Sequence, residues 1–499
     1  MRKKKVVYNA IAGLLLQLVM IVYGFVFPRL VMEVYGSKVN GLLQSISQFL
    51  AYISLLDAGV SAVIRAKLYK PLADFDTINI QRIVNAAKSF YIKIALSFLV
   101  YVVGVSVFLP ITYAKHFDAI FTISLVVIIG LSTFAEYFFG ISYTVLLEAD
   151  QRKYISYCIQ IVSVILNILA SVILIKCGYS IHIVKFITSL IFVVKPIILA
   201  VYCSRKYHFN NQFKEKAVIE NKWSGLGHHI AYFLHSHTDI VLLTIVSGPL
   251  IVSVYSVYNM IIVSLRSVIF YVSGGVEAAF GNMIAKKEEA TLAKGLKIYE
   301  LLVFSLTTVF FSTAAITIFQ FVQIYTQDID DVNYIIPVAG IALIIAEALY
   351  CIRRPYESVV MASGMLRETM VGGFIETAIN VLISVVLVMR FEILGVAIGT
   401  IVATLFRTIQ YAMFVSKNIV KRSIFIFIKG LLIYGLVGLI VPFIFSLVSV
   451  DCKNYIDWCV YGIIALSVSS VFVIIVNVVF YNEESKIFLS MLRNLIKKR

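Results

Sequence analysis

Fourteen apolar stretches, most of them 20 to 30 residues long, fill the chain from Val6 to Tyr481, and almost every connection between them is too short to fold alone. A hydrocarbon core about 30 Å thick needs about 20 apolar residues in helical form, because backbone groups left unpaired in lipid are costly. The stretches meet that requirement and predict an all-α polytopic membrane protein of about 14 transmembrane helices. Composition agrees: 14% of the 499 residues are charged, against roughly a quarter in soluble domains. The start, Met1-Arg2-Lys3-Lys4-Lys5 followed by apolar residues to about Val31, is too long for a secretory leader and lacks a small-residue cleavage site. It reads as helix 1.

The expected spans are 6–31, 39–64, 85–109, 118–147, 154–175, 181–203, 226–247, 250–285, 298–322, 333–361, 370–389, 393–416, 424–449 and 455–481. Of the 43 Lys and Arg residues, 28 fall in the connections on the side of the N-terminus, five on the other side and ten within or at the edges of spans. Positive residues resist translocation, so both termini are expected on the cytoplasmic side of the membrane. The net charge of +16 follows from that rule and from anionic inner-leaflet lipid; it does not point to nucleic acid. External connections are small and partly acidic, with Asp328, Asp330 and Asp331 in one of them. A polysaccharide polymerase or membrane glycosyltransferase is expected to carry a sizeable external loop, so this weakens an enzymatic reading.

Shifting the chain by about 212 residues aligns Gly36 with Gly248, Glu136 with Glu347, Ala149 with Ala362, Asn167 with Asn380 and Ser204 with Ser416. The register argues for a duplication. Helices 1–6 occupy 1–203, a charged interlobe linker 204–223, helices 7–12 occupy 224–416, and helices 13 and 14 with a basic tail occupy 417–499. Six is even, so the lobes are parallel repeats, an arrangement that lets two lobes rock around a central site.

Charges inside the spans mark candidate function. A cation at mid-helix costs about 2.5–3.5 kcal/mol on insertion scales and normally faces protein or an aqueous cavity. Lys195, Arg266, Arg353, Arg354 and Arg407 lie in the middle or inner part of their spans, and Arg29 nearer the outer end of helix 1. The acidic candidates are Asp57, Glu136, Asp239, Glu277, Glu347, Glu357 and Glu376; helices 13 and 14 have no mid-span charge. A polar chamber between the lobes accounts for this distribution. Arg and Lys there suit a phosphate-bearing substrate, and Asp57, Glu136, Asp239, Glu347 and Glu357 suit a coupling cation, a proton or simple charge balance. On helix 10, Glu347, Arg353, Arg354 and Glu357 are spaced for an ion-pair ladder as well as for substrate contact. Arg266 has no opposite charge three or four residues away on its own helix, which favours a ligand contact.

Helix 7 holds His228, His229, His235, His237 and Asp239, of which His228, His235 and Asp239 share a face. That spacing allows a proton relay, but His237 points elsewhere and no metal-binding His pattern is present, so cavity lining is the simpler reading. The six cysteines lack paired metal spacing and read as apolar filler. No phosphate-binding Gly-x-x-x-x-Gly-Lys-Ser/Thr loop occurs, and neither a metal, a cofactor nor a catalytic residue is expected. Pro28, Pro196 and Pro355 each sit beside a cation and are expected kink sites.

The run NGLLQSISQFLAYISLLDAGVSAVIRAKLYKPLADFD at 40–76 resembles the second helix and following loop of Wzx-type polysaccharide repeat-unit flippases, within the multidrug/oligosaccharidyl-lipid/polysaccharide (MOP) exporter superfamily. Arg29 with Gly36, VYSVYNMI at 254–261, RRPYESVVMASG at 353–364 and NVLISVVLVMRFEILGVAIGT at 380–400 resemble later segments of that group. The resemblance implies two six-helix lobes, often with two extra helices. It also implies movement of an undecaprenyl-diphosphate-linked oligosaccharide to the outer leaflet for capsule, O-antigen or exopolysaccharide export, beside a polymerase and assembly proteins. Arg29 matches a basic family position and Asp57 an acidic one that is more often glutamate. Two other transport readings remain: a cation-coupled drug or metabolite exporter of the same superfamily, which the mid-span cations disfavour, and a twelve-helix metabolite porter, which the appended helix pair disfavours.

Overall fold

The computed structural model describes residues 2–57, 59–209, 226–272, 276–448 and 450–497; within them the chain is all-helical, with no strand. Eleven helices among these residues are long and apolar enough to cross a membrane, so the chain is a multi-pass, all-α membrane protein. Eleven and fourteen reconcile at three places. The apolar run Leu366–Ile419 is 54 residues long, about 80 Å of helix at 1.5 Å per residue and far more than one crossing. Glu392, with φ 46° and ψ −121°, breaks it between the two predicted spans. The span at 333–361 consists of two helices meeting at Arg353, each too short alone. The span at 226–247 is one helix whose described apolar stretch begins at His237.

The helices form two compact units, Met1–Ser253 and Val254–Arg499. The first contains α1 (Arg2–Tyr35), α2 (Ser37–Ala51), α3 (Val60–Ala73), α4 (Thr77–Thr112), α5 (Ala119–Ala135), α6 (Ile141–Ala149), α7 (Lys153–Lys176), α8 (Ile181–Lys206), α9 (Leu226–Val246) and the first turn of α10 (Pro249–Val272). The second contains the rest of α10, then α11 (Val276–Ala285), α12 (Glu289–Tyr325), α13 (Pro337–Ile352), α14 (Arg354–Ser363), α15 (Leu366–Phe414), α16 (Phe425–Ser446), α17 (Tyr455–Phe480) and α18 (Asn482–Lys497). Of the predicted linker 204–223, residues 204–209 continue and close α8, and 210–223 lie outside the described residues.

Several positions of the 212-residue register have matching local structure. Gly36 and Gly248 each precede a helix with positive φ, 86° and 87°, a region that a side chain would strain. Asn167 donates from Nδ2 to the Thr188 carbonyl at 3.2 Å, and Asn380 donates to Thr400 Oγ1 at 2.9 Å. Both are buried amides tying one helix to the next. Helix 4 of the sequence reading is interrupted by a π-helical turn at Glu136–Gly140, and helix 10 at Arg353, where Pro355 occupies the first turn of α14 and carries no N–H to donate.

The first unit extends past the expected lobe boundary because α9 and the start of α10 pack against α2. Asn40 Nδ2 donates to Ser253 Oγ at 2.8 Å, and Ser45 Oγ is 2.7 Å from Thr244 Oγ1. A methyl group on Gly41 would stand 1.8 Å from the Pro249 carbonyl oxygen. Gly41→Ala is therefore expected to destabilise the protein by about 1–3 kcal/mol, the usual cost of overpacking. Gly24→Ala, with nothing within 4 Å of the new methyl, should be neutral; thermal unfolding in detergent of both variants checks the pair.

In the second unit the 37-residue α12 is the central post, contacting α11, α13, α14, α16, α17 and α18. Polar contacts fix the appended pair to it: Trp458 Nε1 donates to the Thr317 carbonyl at 3.1 Å, and Asn477 bridges Ser305 and Tyr434. The outer faces of α16 and α17 expose Phe425, Ile440, Ile456 and Val479, a composition suited to lipid contact.

Candidate functional site

In the first unit α2 does not end cleanly. A 3-10 run, Tyr52–Asp57, leads to Gly59 in the left-handed region at φ 82°, and α3 restarts at Val60. The break presents Asp57, whose two carboxylate oxygens accept from Ser61 Oγ at 3.2 and 3.1 Å, while Ser61 Oγ lies 2.8 Å from Tyr91 Oη. Asp57 has no cationic partner among the described residues.

Glu136 opens the π turn, a local widening found at functional sites more than its rarity predicts. Lys195 Nζ donates to its carboxylate at 3.2 Å. The approach that makes this possible is tight: a methyl group on Gly140 would stand 2.6 Å from Pro196 Cβ. Arg29 reaches its own helix neighbour Glu33 at only 3.9 Å. Asp239 is buried on α9, and His237 beside it packs against Gln48 and stacks on Phe233 at 3.9 Å. The side chains of His228, His229 and His235 lie outside the described residues.

The second unit holds three ion-pair arrangements. Arg266 on α10 donates to Glu347 on α13 at 2.8 Å, and its guanidinium lies 5.3 Å from the Tyr350 ring. Arg354 meets Glu357 at 3.2 Å, three residues along α14. Arg353 and Arg407 share Glu376: Arg353 donates at 2.7 Å and Arg407 Nε stands 3.6 Å from the other oxygen. Arg407 also donates to the Thr369 carbonyl, Gln410 and Tyr411 at 2.6, 2.5 and 2.8 Å. Arg353, Glu376 and Arg407 are 4%, 4% and 2% exposed.

The structure corrects two sequence expectations. The ladder along helix 10 is confined to Arg354–Glu357, because the break at Arg353 rotates the flanking segments. Glu347 is taken by Arg266 from another helix, and Arg353 by Glu376. Arg266, which lacks a partner on its own helix, therefore has one across the helix interface. Of the predicted cations, Arg29, Lys195, Arg266 and Arg354 are partly exposed, whereas Arg353 and Arg407 are sealed. Glu136 and Glu347, aligned by the 212-residue shift, each hold a cation from another helix at a partly exposed position.

Lys185 escapes the sequence reading, since it lies in the second turn of α8, near a predicted boundary. Its Nζ lies 3.9 Å from the Phe27 ring centroid, with no carboxylate partner among the described residues. A second cluster is also missed: Lys5, Arg152 and Tyr207 converge on Asp150, and Arg65 and Lys153 on Glu148. Local spacing conceals it because its members come from four separate stretches of the chain.

The second unit also contains a long apolar cavity of about 960 Å³ between α12, α13 and α16. Phe311, Ile316, Ile345, Leu439 and Phe443 line it, with Thr307, Ser312 and Gln320 as polar interruptions.

No protein-family model and no curated protein sequence matches the chain. Solved structures do match. The lipid II flippase MurJ in an inward closed conformation superimposes with a TM-score of 0.67 at 13% identity, over 96% of this chain and 99% of that one. An inward-facing multidrug resistance MATE family transporter of the MOP superfamily gives 0.57 at 11% identity, over 82% of this chain and 98% of that one. The MATE multidrug transporter DinF-BH gives 0.59 at 14% identity, over 83% and 95%. The chain thus has the fold of these flippase and transporter structures.

Proposed function

We propose that this protein is a Wzx-type flippase that moves an undecaprenyl-diphosphate-linked oligosaccharide repeat unit from the inner to the outer leaflet of a bacterial inner membrane by alternating access. The apolar cavity of about 960 Å³ carries the reading. One of its walls is α16, so a bundle without the appended pair would lack it. An apolar slot at bilayer depth is what a long isoprenoid tail requires, and a small water-soluble cargo has no use for it. Similarity to MurJ extends over 96% of the chain, whereas the MATE structures match 82–83%. The difference is close to the size of the appended segment.

The charged groups supply the other half. A diphosphate headgroup cannot shed its water in hydrocarbon unless fixed donors replace it. Arg266, Lys195, Arg354 and Arg29 are such donors, each now held by a carboxylate. Substrate phosphate would displace Glu347 from Arg266 and Glu136 from Lys195, freeing those carboxylates to take up a proton or cation. Asp57, without a cationic partner among the described residues, is a third acceptor. Release reverses the exchange. Only a ligand that binds one conformation better than the other shifts the balance between them, and this exchange of ion partners provides the difference.

Gly435 and Gly438 line the cavity with nothing within 4 Å of a methyl group placed on either, so the space accepts a larger side chain. Gly438→Trp is expected to weaken binding of a polyprenyl-diphosphate oligosaccharide at least tenfold. It should leave binding of a short-chain analogue with the same headgroup unchanged. Equal binding of the long-chain lipid by wild type and variant would remove the cavity from the account.

A further inference from the structure

We propose that the corner between α15 and α16 is a binding site for an anionic phospholipid. Lys417, Arg422 and Ser416 hold the headgroup phosphodiester, and Phe406, Ile409 and Met413 support an acyl chain. A cavity of about 620 Å³ lies at this corner, with those residues among its walls and no carboxylate in its lining. α15 closes with a π-helical turn, Val415–Ile419, which carries Ser416, Lys417 and Asn418 to the cavity.

Two buried polar atoms there have no partner. Ser416 is 2% exposed, and its Oγ makes no hydrogen bond. The Arg422 side chain is 8% exposed; its terminal nitrogens donate to Glu300, but its Nε has no acceptor. Buried donors are almost always satisfied in folded proteins, so an orphaned pair on one cavity calls for an acceptor. Lys417 stands exposed beside them. Together they offer a fixed guanidinium edge, a hydroxyl and a mobile ammonium, the donor set that a phosphodiester takes. Met413 is exposed and Ile409 continues the apolar wall along α15, a surface that a free inorganic anion does not need and a lipid does.

The site reaches further than its own walls. Gln410 lines the cavity and accepts from Arg407 at 2.5 Å. Arg407 in turn shares Glu376 with Arg353. Lipid seated at the corner would therefore steady the buried arginine pair. Binding at this corner requires only that the chain sits in a bilayer and is independent of what it transports.

The test uses full-length protein purified in detergent and offered phosphatidylglycerol, phosphatidylcholine or inorganic phosphate, with lipid retention read by native mass spectrometry and stability by thermal unfolding. Phosphatidylglycerol should be retained preferentially and raise the melting temperature. Retention should fall about fivefold in Lys417→Gln, the loss expected for one cation near a membrane surface, and fall also in Ser416→Ala, which leaves the Arg422–Glu300 pair intact. Lys421→Gln is the control, since Lys421 pairs with Glu289 at 3.1 Å and does not line the cavity; it should retain lipid like wild type. Equal retention of both lipids, equal losses in Lys417→Gln and Lys421→Gln, or stabilisation by inorganic phosphate matching that by phosphatidylglycerol would each overturn the proposal.

Discussion

Glu376→Gln is expected to lower the stability of the protein by about 3–5 kcal/mol, the cost of leaving a buried charge without its partner. Two guanidinium groups converge on this carboxylate, and all three side chains are at most 5% exposed. With the carboxylate neutral, Arg353 keeps its stacking on Tyr350 at 4.0 Å, and Arg407 keeps Thr369, Gln410 and Tyr411. Neither keeps a direct ion pair among the described residues. Arg353 and Arg407 also join α14 to the two arms of α15, so their loss unpins several helices. Thermal unfolding in detergent measures the effect; a variant as stable as wild type would show that the shared carboxylate does not hold these helices together. Removing one arginine as well, as in Glu376→Gln with Arg353→Met, should recover part of the loss, because one uncompensated charge then remains instead of two.

Arg266→Ala is expected to reduce flipping in liposomes by at least tenfold. A charge-assisted hydrogen bond is worth about 1.5–3 kcal/mol, which is about 10- to 150-fold. The substitution also strands Glu347, so lost activity by itself is ambiguous. The double variant Arg266→Ala/Glu347→Ala resolves it: stability should return towards wild type while flipping stays low. If the double variant flips at the wild-type rate, the pair is a structural brace and Arg266 has no substrate role.

Much of the fold is legible in the sequence because membrane insertion leaves a strong one-dimensional signal. The described residues of each predicted span are mostly helical, and Glu392 breaks α15 between two of the spans. Gly36 and Gly248, aligned by register alone, share a backbone conformation that disfavours side chains. The site is less legible. Glu347, Arg353, Arg354 and Glu357 have helical ladder spacing, and the break at Arg353 redirects two of the four to other helices. Long-range partners such as Glu376 for Arg353 depend on packing, which no local pattern encodes. The π turns at Glu136 and Val415 and the orphaned hydroxyl of Ser416 likewise leave no trace in composition. Lys185 goes unnoticed for a different reason: positive-inside arithmetic assigns a cation near a span end to the surface, whereas this one lies against Phe27.

The decisive measurement is transbilayer movement in proteoliposomes. Purified protein is reconstituted with a fluorescent undecaprenyl-diphosphate oligosaccharide, and the fraction accessible to an external quencher is followed with and without proton or sodium gradients. Wild-type protein is expected to make the inner-leaflet pool accessible, and Arg266→Ala and Gly438→Trp are expected not to. A wild-type protein that leaves that pool protected under every gradient, yet carries a small cationic drug across the same vesicles, would contradict the flippase reading.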